Sequence, residues 1–107
     1  MSGQAYRYKF RDDMALERAL ESLQVALLAT TGLLSTKQVR LDASWMVDES
    51  IRVLVVDAST TAGIALNRIF GALLTSHPGV GTFDVRQVEL FRPPAAIGLF
   101  IGAIVRM

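Results

Sequence analysis

The chain has 107 residues, of which 51% are hydrophobic and 20% charged, the balance of a folded chain with a full core and not of a disordered one. It holds no cysteine, which excludes disulfides, thiolate metal ligands and cysteine nucleophiles. Eleven Lys and Arg against 10 Asp and Glu leave a net charge of +1, without the basic excess of a dedicated nucleic-acid binder.

The length fits one domain, residues 1–107, with a core over residues 5–91 and a distinct tail over residues 92–107. Residues 1–13 are polar and charged, without the apolar stretch of a secretory leader. Together with the absence of cysteine, this places the expected location in the cytoplasm.

Residues 1–4 read as a loose start. Tyr6, Tyr8 and Phe10 then alternate with Arg7, Lys9 and Arg11, which predicts a half-buried strand over residues 5–11. Asp12 and Asp13 suit a helix N-terminus. Leu16, Leu20, Leu23 and Leu27 recur at helical spacing, with Met14, Ala19 and Leu28 widening the stripe. A helix over residues 13–29 follows, with Gly32 as its stop.

Val39, Leu41, Ala43 and Trp45 alternate with Gln38, Arg40, Asp42 and Ser44, the pattern of a second strand. Trp45 would serve there as an interface anchor or as a cap on the core edge. Asp48, Glu49 and Ser50 form a turn into a β-branched run over residues 51–56, which predicts a central strand buried on both faces. A turn over residues 57–61 leads into a second helix carrying Leu66, Ile69, Phe70, Leu73 and Leu74. Residues 76–81 break it, and a last strand covers residues 82–91. Its apolar parity changes between Val85 and Val88, a mark of a bulge or of two-sided burial.

The order is βαββαβ plus a tail. It predicts an α+β, ferredoxin-like two-layer sandwich with a four-stranded antiparallel sheet, two helices on one face and an extra apolar C-terminal segment. Arg7, Lys9 and Arg11 would then face away from the helices, joined by Arg40, Arg52 and Arg86. Such alternation is the ordinary pattern of a solvated sheet face. RNA-binding sheets of this architecture stack bases on central aromatics, and the third strand offers aliphatic residues instead. Nucleic acid is therefore not an expected partner.

Residues 95–105 form an uninterrupted apolar run. Spanning a bilayer takes about 20 residues, so a membrane is not an expected partner either. The two-sided apolar strand and the tail together predict a covered sheet face, with Leu54, Val56, Ile97, Leu99, Phe100 and Ile101 as interface residues. The expected partner is a second copy, as a dimer, or another protein subunit.

Chemistry-bearing residues are few. His77 stands alone in a turn beside Pro78, with no second histidine to complete a metal site. Residues 57–63 lie at a strand-to-helix junction, where hydroxyls and free N–H groups hold anions in other proteins. Ser59, Thr60, Thr61 and Gly63, with Arg68 further along, are the best local candidates for such a ligand. No cofactor and no catalytic set are expected. The first functional expectation is a non-enzymatic, self-associating interaction module of a larger assembly. The alternatives are an anion-binding regulatory domain and a small enzyme whose site is completed between subunits.

Overall fold

A computed structural model of the chain describes residues 2–91 and 104–106. The elements run β1 (Ser2–Phe10), α1 (Asp13–Leu33), α2 (Thr36–Asp42), β2 (Trp45–Asp48), β3 (Val53–Asp57), α3 (Thr61–Ser76), β4 (Phe83–Phe91) and β5 (Ile104–Arg106). The strands form one sheet in the order β2-β3-β1-β4-β5, and every neighbouring pair is antiparallel. The architecture is α+β: a four-stranded antiparallel sheet extended by the short β5, with three helices in a two-layer arrangement.

The alternation in β1 decides which face meets the helices. Tyr6 pairs with Val56 and Tyr8 with Leu54, so these four side chains share one face. There Tyr8, Phe10, Leu54 and Val56 meet Leu16, Leu23, Leu66, Phe70 and Leu74 from α1 and α3 in the main core. The Tyr8 ring stands edge-on to Phe70 with centroids 5.0 Å apart, and its hydroxyl donates to Asn67 Oδ1 at 2.6 Å. Burial therefore costs the phenol no hydrogen bond.

The opposite parity builds a second cluster. Ala5, Val53, Val55 and Val88 are buried on the face turned away from the helices, with Met46 packed beside them. All five residues of β3 are buried, as expected for a central strand apolar on both sides. β1 and β4 pair continuously from Ser2↔Phe91 to Phe10↔Phe83. The parity change in β4 is thus two-sided burial and not a bulge. Phe83 packs on the helix side, Val88 is buried on the other, and Val85 stays 45% exposed.

The helices differ from expectation in two places. Residues 36–42 form α2 and not the first part of a strand. Ser35 caps it by accepting from Gln38 N at 3.1 Å, and the alternation was misleading because Val39 is buried while Leu41 is 72% exposed. β2 accordingly starts at Trp45. Helix α1 also runs through Gly32 to Leu33. The Thr30 and Thr31 hydroxyls donate back to the carbonyls of Ala26 and Leu27, and Leu34 N closes the last turn on Thr30 O. Both hydroxyls are thus satisfied within the helix and do not compete for its backbone N–H groups. At the other end, Asp12 caps α1 through Ala15 N at 2.8 Å. The start of the chain is not loose either, since β1 begins at Ser2.

Candidate functional site

The junction between β3 and α3 is built tightly. Asp57 is fully buried at the end of β3, and its Oδ1 accepts from Ser59 N at 2.9 Å and from Ser59 Oγ at 2.6 Å. Thr60 caps α3: its Oγ1 accepts from Gly63 N at 3.0 Å and donates to the Asp42 carbonyl at 2.9 Å. That second bond ties the start of α3 to the end of α2. Gly63 is buried so closely against β3 that a Cβ there would run into the Asp57 carbonyl oxygen. The glycine is needed for this close approach of helix and strand.

Three of the five candidate anion ligands are therefore occupied inside the protein. Ser59 and Thr60 spend their hydroxyls on Asp57 and Asp42, and Gly63 spends its N–H on Thr60. Thr61 is exposed on the first turn. Arg68, also exposed, lies more than two turns further on, about 12 Å along the axis from Thr60. The structure brings Ser59, Thr60 and Gly63 together and leaves Arg68 apart.

His77 sits at the C-terminal end of α3, where its Nδ1 accepts from Gly79 N at 3.0 Å. It lines an open cavity of about 350 Å³ between α1 and the end of α3, together with Glu21, Ser22, Val25, Leu73, Ser76 and Pro78. Among the described residues, no group of three His, Asp or Glu side chains converges on a common metal position.

Leu54 and Val56, expected at an interface, are instead in the main core with no exposure. The reason is register: their partners Tyr8 and Tyr6 face the helices, so the side of β3 away from the helices belongs to Val53 and Val55. Ile97, Leu99, Phe100 and Ile101 lie outside the described residues. On the helix-free face the apolar centre is sealed, and charge surrounds it. Arg7 is directly opposite Arg86 and Lys9 opposite Asp84, with Arg86 Nε bonded to Asp84 Oδ2 at 3.2 Å. Arg40, expected beside them, is on α2 instead. Trp45 is on the helix side of the β2 edge, across from Val56, and is 37% exposed.

Among the described residues, the most exposed large apolar side chains lie on α1 and α2. Met14 and Leu28, expected to widen the core stripe of α1, are 57% and 75% exposed. Val25 is 55% and Leu33 69% exposed, and Ala29 and Gly32 between them are exposed as well. Val25, Leu28, Ala29 and Gly32 follow the i, i+3, i+4, i+7 rule, so they form one continuous stripe on the side of α1 away from the core. Leu41 on α2 adds an exposed side chain just past the end of α1. This second helical period was legible in the sequence as a stripe offset from Leu16, Leu20, Leu23 and Leu27.

Tyr8 and Asp48 carry shifted ionisation. Burial, helped by the nearby Tyr6 phenol, pushes Tyr8 up to about 12. The Ser50 hydroxyl and N–H donate to Asp48 at 2.6 and 3.1 Å, which holds that carboxyl below its usual range. Neither group lies in the cavity beside His77.

No protein-family model matches the chain, and no curated protein matches it either. Among the described residues, no helix is long and apolar enough to cross a membrane.

Proposed function

We propose that the chain is a non-enzymatic, self-associating interaction module of a larger assembly, built on a ferredoxin-like layout. The layout is supported by the strand order, which read from the other edge runs β4-β1-β3-β2, and by α1 and α3 following β1 and β3. α2 and β5 are then additions to it.

One observation carries the functional reading: the uncharged stripe of Val25, Leu28, Ala29, Gly32 and Leu33 along an exposed helix face. A helix of a protein acting alone puts polar residues on that side. Contiguous open apolar surface marks a place where another molecule docks. The expected partner is a second copy, as a dimer.

Light scattering over a range of protein concentrations tests this. The chain should pass from monomer to dimer mass as concentration rises, and Leu28→Glu should remain monomeric throughout. A wild-type chain that stays monomeric up to the millimolar range would end the reading.

A further inference from the structure

We infer that two copies pack α1 against α1, antiparallel, about a two-fold axis passing between Leu28 and Ala29. This rests on the self-association reading above and adds the geometry and the charges that set it.

A two-fold interface brings one surface patch against itself, so the patch must be self-complementary in shape and charge. The α1 stripe meets both conditions only when the helices run in opposite directions. With the axis between Leu28 and Ala29, Val25 of one copy faces Gly32 of the other. The space above Gly32 is open, with nothing within 4 Å of where a Cβ would stand. A large side chain thus meets a vacant position, which is how helices interdigitate.

Charge gives the direction. The N-terminal half of α1 carries Asp13, Glu17 and Glu21 against the single Arg18, which bonds Glu21 at 2.8 Å. Past the other end of the stripe, α2 exposes Lys37 and Arg40, with Asp42 half-buried at its end. At about 1.5 Å rise per residue, the antiparallel arrangement carries Glu21 of one copy to the end of α1 in the other, where the chain turns into α2, so the acidic half of one helix approaches the basic end of its partner. A parallel arrangement would instead stack Glu17 on Glu17 and Glu21 on Glu21, and like charges facing each other are repulsive.

Size sets the strength. One face of α1 is about 32 Å long and 10 Å wide, well under the roughly 800 Å² per partner of a standard interface. α2 and the rim of the cavity beside Val25 and Leu73 would add to it. The dimer should therefore be weak, micromolar or looser, and concentration-dependent.

The lack of native cysteine makes the geometry directly testable. Leu28→Cys should form a disulfide-linked dimer under mild oxidation. Met14→Cys, also more than half exposed on the same side, should not, because its two copies would lie about 40 Å apart. Cross-linking at both positions would mean parallel helices. Cross-linking at neither, in a chain that still dimerises by light scattering, would place the interface elsewhere; both results overturn the inference while leaving self-association standing. A monomeric wild type would remove both. Charge reversal gives the second arm. Glu17→Lys with Glu21→Lys should weaken dimerisation roughly tenfold. Adding Lys37→Glu and Arg40→Glu should restore it. Weakening without restoration would show that these pairs do not meet across the axis. Thermal melts of each variant establish that it is folded.

Discussion

Two surfaces of this protein carry apolar residues away from the main core, and they treat them in opposite ways. On the helix-free face of the sheet, Ala5, Val53, Val55 and Val88 are sealed, with Arg7, Lys9, Asp84 and Arg86 on the strands around them. On the outer side of α1, Val25, Leu28 and Leu33 are more than half exposed. A pleated strand offers its centre residues close neighbours on both sides, and long charged side chains can lie over them along their aliphatic stems. A convex helix face has no such neighbours. The apolar residues of the sheet face are thus buried, whereas those of the helix face stay exposed.

That difference predicts opposite responses to the same kind of change. Val55→Asp puts a carboxylate into a fully buried position and should lower stability by about 4 kcal/mol or more, or prevent folding, as read by chemical denaturation. A smaller loss would mean that the sheet face is less sealed than its burial indicates.

Between the two surfaces lies the helix–sheet layer, where Tyr8 reports on burial through pH. Its folded value of about 12 lies above the ordinary phenol value of 10.0, so its contribution to stability is complete below pH 10 and is lost as pH rises toward 12. The loss should be about 3 kcal/mol across that window. Tyr8→Phe should remove this alkaline step, at a cost of about 1 kcal/mol near neutrality from leaving Asn67 Oδ1 without its donor. An unchanged alkaline profile in Tyr8→Phe would assign the step to another group.

At the junction of the layers, Gly63→Ala drives a methyl group into the Asp57 carbonyl and should cost about 1–3 kcal/mol. Thr60→Ala removes the cap of α3 and its bond to α2, for about 1 kcal/mol. Neither change should alter dimerisation if the junction is purely structural and α1 carries the contact.

How much of this was legible in the sequence follows from which signals are unique. The alternation of Tyr6, Tyr8 and Phe10 admits one reading, and it named the buried side of β1 correctly. The stretch from Gln38 to Trp45 admits two. Its alternation argued for a strand, while Ser35 followed three residues later by Gln38 is a helix-start signal that the structure obeys. The local cap prevailed because one buried residue, Val39, was enough to anchor a short helix. Leu28 was misassigned for a related reason. The second half of α1 is apolar almost all round, so periodicity alone cannot say which of two stripes faces in. Leu54 and Val56 were placed on the wrong face because both sides of β3 are apolar, and only pairing with β1 distinguishes them. The junction hydroxyls were located correctly, but a sequence cannot show that Asp57 and the Asp42 carbonyl already use them.

The smallest predicted effect on the single chain separates the two surfaces most sharply. Leu28→Glu replaces an exposed leucine with a residue of similar helix propensity, so the stability of a dilute, monomeric sample should change by less than about 0.5 kcal/mol. If wild-type copies associate through α1, their melting temperature must rise with protein concentration, because a partner that binds only the folded state adds stability by mass action. The variant has no such partner, and its melting temperature should be flat over the same range. The two curves should meet at low concentration and diverge upward from there. Curves that differ at every concentration by the same amount would mean that Leu28 contributes to the fold of one chain, and the outer face of α1 would then be another sealed surface like the sheet face.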